Sequence, residues 1–559
     1  MIRPVGKIRP LAPLVKGGRA AAQRWRGDSL KGISIYHIQQ ENITMADLAI
    51  KLILLILFFG SMIGIGLYCR RHATDVSGFV LGGRSVGPWL TAFAYGTSYF
   101  SAVVFVGYAG QFGWKYGIAA TWAGLGNAFI GSLLAWAVLG RRTRVMTQHL
   151  DSATMPQFFG ERFGSGALKL CASAIIFIFL IPYTASLYNG LSRLFGMAFD
   201  IDYSVCVVVM AVLTGIYVIA GGYMATAIND FIQGIIMLFG IAAVILAVLH
   251  SQGGFMAALE GLAQVSDEAV SSAPGVFASF FGPDPVNLLG VVILTSLGTW
   301  GLPQMVQKFY AIKSESAINK GMVISTFFAV IVSGGCYFLG GFGRLFSDKI
   351  DIAANGYDSV IPTMLSGLPV ILIAIVVILV LSASMSTLSS LVLASSSTLT
   401  LDFIKGTVIK DMDEKRQVRW MRGLVVVFIA VSVVLALIQY KSSVTFIAQL
   451  MGVSWGALAG AFLAPFLYGL YWRRTTKAAC WVSFLFSTVV MLANIFAKNS
   501  FPVLLQSPIN AGAFCMLAGL VIVPVVSVFT KAPDKKRLDD VFSCYDQKVT
   551  VSVKRSIGE

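Results

Sequence analysis

The chain has 559 residues, of which 57% are hydrophobic and only 12% are charged, and its mean hydropathy is +0.79. Soluble domains of this length do not have such a composition, so the sequence predicts an all-α protein that crosses a membrane many times. The net charge of +16 does not indicate a nucleic-acid partner, because Lys and Arg accumulate in the cytoplasmic loops of membrane proteins. The seven cysteines and four histidines are scattered without paired spacing, so neither a disulfide framework nor a metal cluster is expected.

Residues 1–44 differ from the rest of the chain. They are basic and lack the apolar core that a secretory signal peptide needs. Met45 stands directly before the first apolar run, so this segment is interpreted as a mispredicted extension ahead of the true start, with a disordered basic arm as the alternative. Residues 45–531 are expected to form the membrane domain, and residues 532–559 a cytoplasmic tail.

Apolar runs of helical length predict about thirteen membrane crossings. In chain order these are 46–69, 88–113, 117–139, 167–197, 202–220, 225–250, 286–307, 317–343, 367–400, 419–439, 444–471, 477–497 and 509–530.

Basic residues occupy alternate loops, and this pattern predicts the orientation of the chain. The inner series begins with Arg70 and Arg71, includes Lys308 and Lys313, and ends near residue 537, whereas loop 251–285 has no Lys or Arg. The positive-inside rule therefore places the amino end outside and the carboxyl end inside a multi-pass protein of the cell membrane.

Two predicted membrane helices contain glycine-rich interruptions. The second helix contains Tyr95-Gly96-Thr97-Ser98, and the seventh contains Leu297–Gly301 followed by Pro303. If 88–250 and 286–471 are two five-helix repeats inverted in the membrane, each break lies in the first helix of its repeat. Paired breaks of this kind indicate a midplane binding site in a secondary transporter. The alternative is that these glycines serve close helix packing.

The ninth helix carries a series of hydroxyls between residues 379 and 400. Ala383, Ser386, Thr387 and Ser390 share one helical face, which suits a small hard cation that prefers oxygen ligands. The alternative is that Ser and Thr bond back to their own helix. Asp230, near the start of the sixth helix, is either an intramembrane functional carboxylate or an interfacial cap.

Five sequence motifs occur together in one order. They are Leu81–Pro88 (LGGRSVGP), Thr154–Phe159 (TMPQFF) with Glu161-Arg162-Phe163, Gly221–Gln233, Gly301–Gln304 with Lys308-Phe309, and Met385–Ser389. With these motifs the chain resembles the sodium:solute symporter family from about Met45 to Lys531. The resemblance implies about thirteen helices, a core of two five-helix inverted repeats with broken helices, and sodium-coupled import of a small solute by alternating access.

The resemblance also implies the ion sites. The main sodium site would use the carbonyl oxygens of Thr97, Phe100 and Ala383 and the hydroxyls of Ser386 and Thr387. Some members hold a second sodium, and the matching positions here, besides Ser386, are Asp230, Ser389 and Ser390.

The expected solute cavity is neutral, aromatic and rich in hydroxyls. It comprises Ser98, Tyr99, Ser101, Tyr183, Ser186, Thr295, Thr299, Trp300 and Gln449. The chain departs from the family's proline carriers at Tyr99, Thr295 and Thr299, so a small polar or singly charged organic solute is expected rather than proline specifically.

The expected partners are sodium as the coupling ion, the solute and membrane lipid, with neither nucleic acid nor an obligate protein partner. No paired carboxylates or acid–base constellation indicate an enzyme. Two alternatives are a membrane sensor built on a transporter core and a sodium-conducting channel, which would pass sodium without solute.

Overall fold

The computed structural model describes residues 45–199, 202–271, 273–409, 411–442 and 447–546. The expectations for residues 1–44 and for the last part of the tail, 547–559, lie outside the described residues. By its internal contacts the chain divides into Met1–Ile53, whose described residues are the first turns of one helix, and Leu54–Glu559, which contains the rest of that helix and every later element.

The α-helices are numbered in chain order. They are α1 (Met45–Cys69), α2 (Val76–Leu81), α3 (Pro88–Tyr99), α4 (Ala109–Tyr116), α5 (Thr121–Ala128), α6 (Arg141–His149), α7 (Met155–Phe163), α8 (Gly166–Phe199), α9 (Tyr203–Ser251), α10 (Phe255–Gln264), α11 (Pro285–Gly301), α12 (Pro303–Ala311), α13 (Glu315–Ala329), α14 (Gly335–Gly340), α15 (Ile352–Asn355), α16 (Val360–Leu365), α17 (Val370–Thr398), α18 (Glu414–Ser442), α19 (Ile447–Tyr471), α20 (Lys477–Phe496), α21 (Pro508–Phe529) and α22 (Lys535–Ser543). π-Helical segments are Val103–Tyr108, Phe129–Leu134, Trp136–Gly140, Val330–Gly334 and Leu399–Val408. Short 3-10 turns are Arg70–His72, Gly82–Arg84, Gly117–Ala120, Val276–Ala278, Gly343–Phe346, Tyr357–Ser359, Lys498–Ser500 and Val503–Gln506.

Ten helical stretches within the described residues are long and apolar enough to cross a membrane, and the bent pair α11 and α12 makes an eleventh. Two of the ten, Val103–His149 with 47 residues and Tyr203–Ser251 with 49, are about twice as long as one crossing needs. Each is interrupted by a glycine in a left-handed conformation, Gly117 (φ 62°) and Gly222 (φ 55°). The structure thus agrees with the expectation of about thirteen crossings; the repeat boundaries remain a prediction.

The expected break in the second crossing is present, but it lies further along the chain. Helix α3 continues through Gly96 to Tyr99, Phe100 is extended (φ −86°, ψ 116°), and helical structure resumes at Val103. Gly96 serves packing, because a Cβ atom there would lie 2.4 Å from the ring of Phe328.

The break in the seventh crossing also follows its glycines. Helices α11 and α12 meet at Leu302 (φ −79°, ψ 124°) with a bend of 45°. Pro303 begins α12, where its missing N–H has no intrahelical partner to lose. Gly298 packs against Trp455, since a Cβ atom there would lie 2.6 Å from the indole. Both predicted breaks are therefore real, and the glycine-packing alternative is also correct at Gly96 and Gly298.

The beginning of the predicted tail is folded. Helix α22 buries Phe542 beneath the guanidinium groups of Arg162 and Arg473, 4.8 and 5.3 Å from its ring. Arg473 also donates to Asp539 at 2.9 Å. Residues 535–543 thus pack on the basic end of the membrane domain.

Candidate ion and solute site

Hydroxyls of α17 meet the broken end of α3. The Ser386 hydroxyl is 3.1 Å from the carbonyl oxygen of Thr97 and 3.1 Å from that of Ala383. The Thr387 hydroxyl is 3.1 Å from the carbonyl oxygens of both Thr97 and Ala383, and 3.2 Å from that of Phe100. The two hydroxyls of α17 thus lie within hydrogen-bond distance of carbonyl oxygens at the broken end of α3 and in α17 itself; that these five oxygens hold an ion remains a prediction.

The spacing and polarity of these oxygens suit a small cation. Oxygens about 3.1 Å apart can all lie roughly 2.2 Å from a common centre, near the distances at which Ca²⁺, an ion close to Na⁺ in size, is held. The carbonyl of Thr97, in the last turn of α3, and that of Phe100, its C-cap, have no helical partner beyond the break, and this end of the helix dipole is negative. All five oxygens are neutral, so they would suit a monovalent better than a divalent ion.

The packing alternative for these hydroxyls is true in part. Ser386 and Thr387 both reach the carbonyl of Ala383 in their own helix, as back-bonding residues do. Their contacts with Thr97 and Phe100, however, join α17 to a different helix at its break. Back-bonding alone does not require those contacts.

Asp230 faces a lysine that the sequence interpretation assigned to an inner loop. The Lys308 ammonium lies 3.8 Å from the Asp230 carboxylate and donates to the Ser390 hydroxyl at 3.0 Å. Lys308 is only 2% exposed, and Asp230 is fully buried. The assignment of Lys308 to an inner loop was therefore wrong, because α12 places its side chain inside the protein. The interpretation of Asp230 as an interfacial cap was also wrong, because its carboxylate is fully buried.

Ser98 bonds across to α17, whereas Ser389 bonds within α17. The Ser98 hydroxyl lies 2.9 Å from that of Ser390 and also bonds to the Ala94 carbonyl. Ser389 donates to the Ser386 carbonyl at 2.9 Å. Ser98, expected in the solute cavity, thus points toward Ser390.

The polar groups of α11 expected in the cavity are already paired with protein. Thr295 donates to the Val291 carbonyl at 2.9 Å, within its own helix. Thr299 donates to the Gly131 carbonyl at 2.9 Å, and the Trp300 indole N–H donates to the Ile130 carbonyl at 3.0 Å. Thr299 and Trp300 therefore bond α11 to the 129–134 segment, whereas Thr295 bonds within α11.

Tyr183 of α8 faces Trp455 of α19, edge to face, with ring centroids 6.0 Å apart. Both residues are fully or almost fully buried. The tyrosine hydroxyl lies near the Trp455 indole and the Ser101 hydroxyl, but within the described residues neither this hydroxyl nor the indole N–H makes a hydrogen bond of good geometry. Ser101, in the break of the second crossing, accepts a bond from the Val103 N–H at 3.2 Å. Because buried polar atoms are ordinarily hydrogen-bonded, a polar ligand is one way to satisfy the tyrosine hydroxyl and the indole N–H.

The remaining predicted solute residues lie elsewhere or bond locally. Ser186 donates to the Tyr183 carbonyl at 2.6 Å in its own helix. Gln449 lines a 610 Å³ cavity together with Lys115, Asp267 and Arg344. Tyr99 is the last residue of α3, and its side chain lies outside the described part of the chain. The sequence interpretation missed Trp455, although it named Gln449 in the same helix.

The sequence model of the sodium:solute symporter family matches residues 79–486. The chain belongs to this family. The osmoregulated proline transporter OpuE of Bacillus subtilis (strain 168) is 27% identical over 86% of this chain and 94% of its own length. The sodium/proline symporter of Staphylococcus aureus (strain JH9) is 29% identical over 76% of this chain and 82% of its own length.

The fold of this symporter is also similar to that of a Na⁺-coupled sialic acid symporter solved in a substrate-bound, outward-open state. The TM-score is 0.66 at 15% identity, with 87% of this chain and 99% of the other covered. The all-helical fold with broken crossings is thus confirmed. The chain is a multi-pass sodium-coupled symporter, and the sensor and channel alternatives are not favoured.

Proposed function

We propose that the coupling sodium is held by the carbonyls of Thr97, Phe100 and Ala383 and the hydroxyls of Ser386 and Thr387. The observation that carries this proposal is the convergence of these oxygens at 3.1 to 3.2 Å. Each sodium that enters down a potential of ~100 mV supplies about 2.3 kcal/mol, or roughly a fifty-fold concentration ratio of the solute.

The solute binds beside Ser101, Tyr183 and Trp455. Phe100 supplies a carbonyl to the ion and Ser101 follows it directly in the break, so an ion that fixes the backbone at Phe100 also orders Ser101. This adjacency gives sodium and solute a shared element through which each favours the other.

The solute is a small polar molecule, neutral or singly charged. Its surroundings offer a hydroxyl, a phenol and an indole N–H. The second half of the broken second crossing also begins here, and the positive dipole at its N-terminal end favours a carboxylate. The named relatives are proline transporters, so L-proline is the first solute to test, together with other small amino acids and monocarboxylates.

Import requires the orientation predicted from the loop charges, with the amino end outside and the carboxyl end inside. The 610 Å³ cavity is lined by residues of the acidic loop 251–285, including Asp267 and Asp284, and by residues that precede and follow this loop in the chain. In this orientation that cavity is the outer vestibule. Gln449 then lies on the entry route rather than beside Tyr183.

A thermal-shift screen of purified protein tests the sodium and solute sites together. Each solute is added in sodium chloride or in choline chloride at equal ionic strength. A transported solute raises the melting temperature more in sodium, because ligands that favour the same state reinforce each other. Radiolabelled uptake into proteoliposomes then confirms each hit.

Two variants serve as controls. Thr387→Val should strongly reduce the sodium-dependent increment. Trp455→Phe should weaken the response to solute while leaving the response to sodium alone intact. Uptake that is equal in sodium and choline would show that sodium is not the coupling ion. A normal sodium response in Thr387→Val would place the ion elsewhere.

A further inference from the structure

The proposed sodium site leaves a second buried polar cluster without a role. It consists of Asp230 on α9, Lys308 on α12 and Ser390 on α17. The ammonium donates to Ser390 at 3.0 Å and lies 3.8 Å from the Asp230 carboxylate, and the ring of Tyr223 covers it at 5.1 Å. Three helices thus enclose one tethered cation.

Asp230 and Ser390 are two of the ligands expected for a second sodium. An ammonium group and a sodium ion carry the same charge, and both bind oxygen at short range. The ammonium differs in being attached to the chain, so it is not released or carried across the membrane during transport.

We propose that the Lys308 ammonium takes the place of a second sodium, so that this symporter binds and couples one sodium ion. This inference rests on the proposed function. A second cation at Asp230 would have to displace the lysine from Ser390 or lie beside a like charge in a buried, low-dielectric region. Ser390 is already shared, since its hydroxyl also lies 2.9 Å from that of Ser98.

The replacement of a second sodium by the Lys308 ammonium has a consequence for the solute gradient. With one sodium and a neutral solute, each cycle moves one net charge, so ~100 mV sustains roughly a fifty-fold solute gradient. A second coupled ion would square this ratio to roughly 2,500-fold. With one coupled sodium, the expected solute gradient is therefore the smaller of the two.

Equilibrium binding of ²²Na⁺ to the purified full-length protein tests the inference without knowledge of the solute. The expected result is one sodium per wild-type chain with a Hill coefficient of one. Asp230→Asn should leave this count unchanged. Lys308→Met leaves Asp230, Ser389 and Ser390 free to bind an ion, so it should bind two.

Two further variants complete the design. The double variant Lys308→Met/Asp230→Asn removes both charges and should return to one sodium. The matched control is Lys313→Met, at an exposed lysine five residues further on, which should bind one sodium like the wild type.

Two sodium ions per wild-type chain, falling to one in Asp230→Asn, would overturn the inference and leave the proposed function intact. The absence of any sodium binding would overturn the proposed sodium site and the inference with it. A folded Lys308→Met protein that binds only one sodium would also overturn it. If Lys308→Met does not fold, the wild-type count decides alone.

Discussion

Replacing Thr387 by valine removes one proposed ligand while preserving the shape of the side chain. The Thr387 hydroxyl lies within 3.2 Å of three carbonyl oxygens, those of Thr97, Phe100 and Ala383. If all four oxygens face the ion, valine substitutes a methyl group for an ion–dipole contact in a fully buried site.

The size of the effect follows from the energy of such a contact. A hydrogen bond or dipole contact with a charged group contributes about 1.5 to 3 kcal/mol. Because each 1.4 kcal/mol is tenfold in affinity, sodium binding should weaken by roughly 10- to 150-fold. The fold should persist, since valine fills the same space.

The assay is a sodium titration of ²²Na⁺ binding or of thermal stabilisation. Thr184→Val is the matched control: Thr184 is also fully buried and donates to the carbonyl four residues back, that of Leu180, at 2.9 Å. It should change sodium affinity by less than about threefold, an energy below 0.7 kcal/mol. If Thr387→Val and Thr184→Val have the same sodium affinity, the assignment of Thr387 as a ligand is refuted.

Two further predictions concern stability and are read from the melting temperature in detergent. Gly222→Ala should lower the melting temperature by several degrees. The left-handed backbone costs about 1 to 3 kcal/mol for a non-glycine residue, and the new Cβ would lie 2.8 Å from the Phe79 carbonyl oxygen. Gly60→Ala is the control and should not lower the melting temperature, because nothing lies within 4 Å of its new Cβ. Arg84→Gln should also lower the melting temperature, because Arg84 donates to three backbone carbonyls at 2.8 to 3.2 Å. Its control is Arg141→Gln, which breaks only an exposed ion pair worth less than about 1 kcal/mol and should change the melting temperature less. Equal melting temperatures within either pair would contradict these reasons.

The inner-loop position assigned to Lys308 shows a limit of counting charges along a sequence. Lys308 follows Pro303 and precedes Lys313, so its neighbourhood reads as a basic loop. The bend of 45° at Leu302 turns α12 so that its lysine meets Asp230, 78 positions earlier in the chain. No local pattern reports a bend of that kind.

The amino-acid sequence by itself determined the class of this protein and predicted where hydroxyls could hold an ion. Apolar runs must lie in lipid, and hydroxyls on one helical face at that depth need either backbone partners or a cation; both are local properties that Ser386 and Thr387 already carry. Only the tertiary structure decided what meets across helices: that Tyr183 faces Trp455, that Thr299 is bound to Gly131, and that an ammonium lies beside Asp230. These contacts depend on helix bends and rotations set by packing over the whole domain, and residues far apart in sequence do not report them.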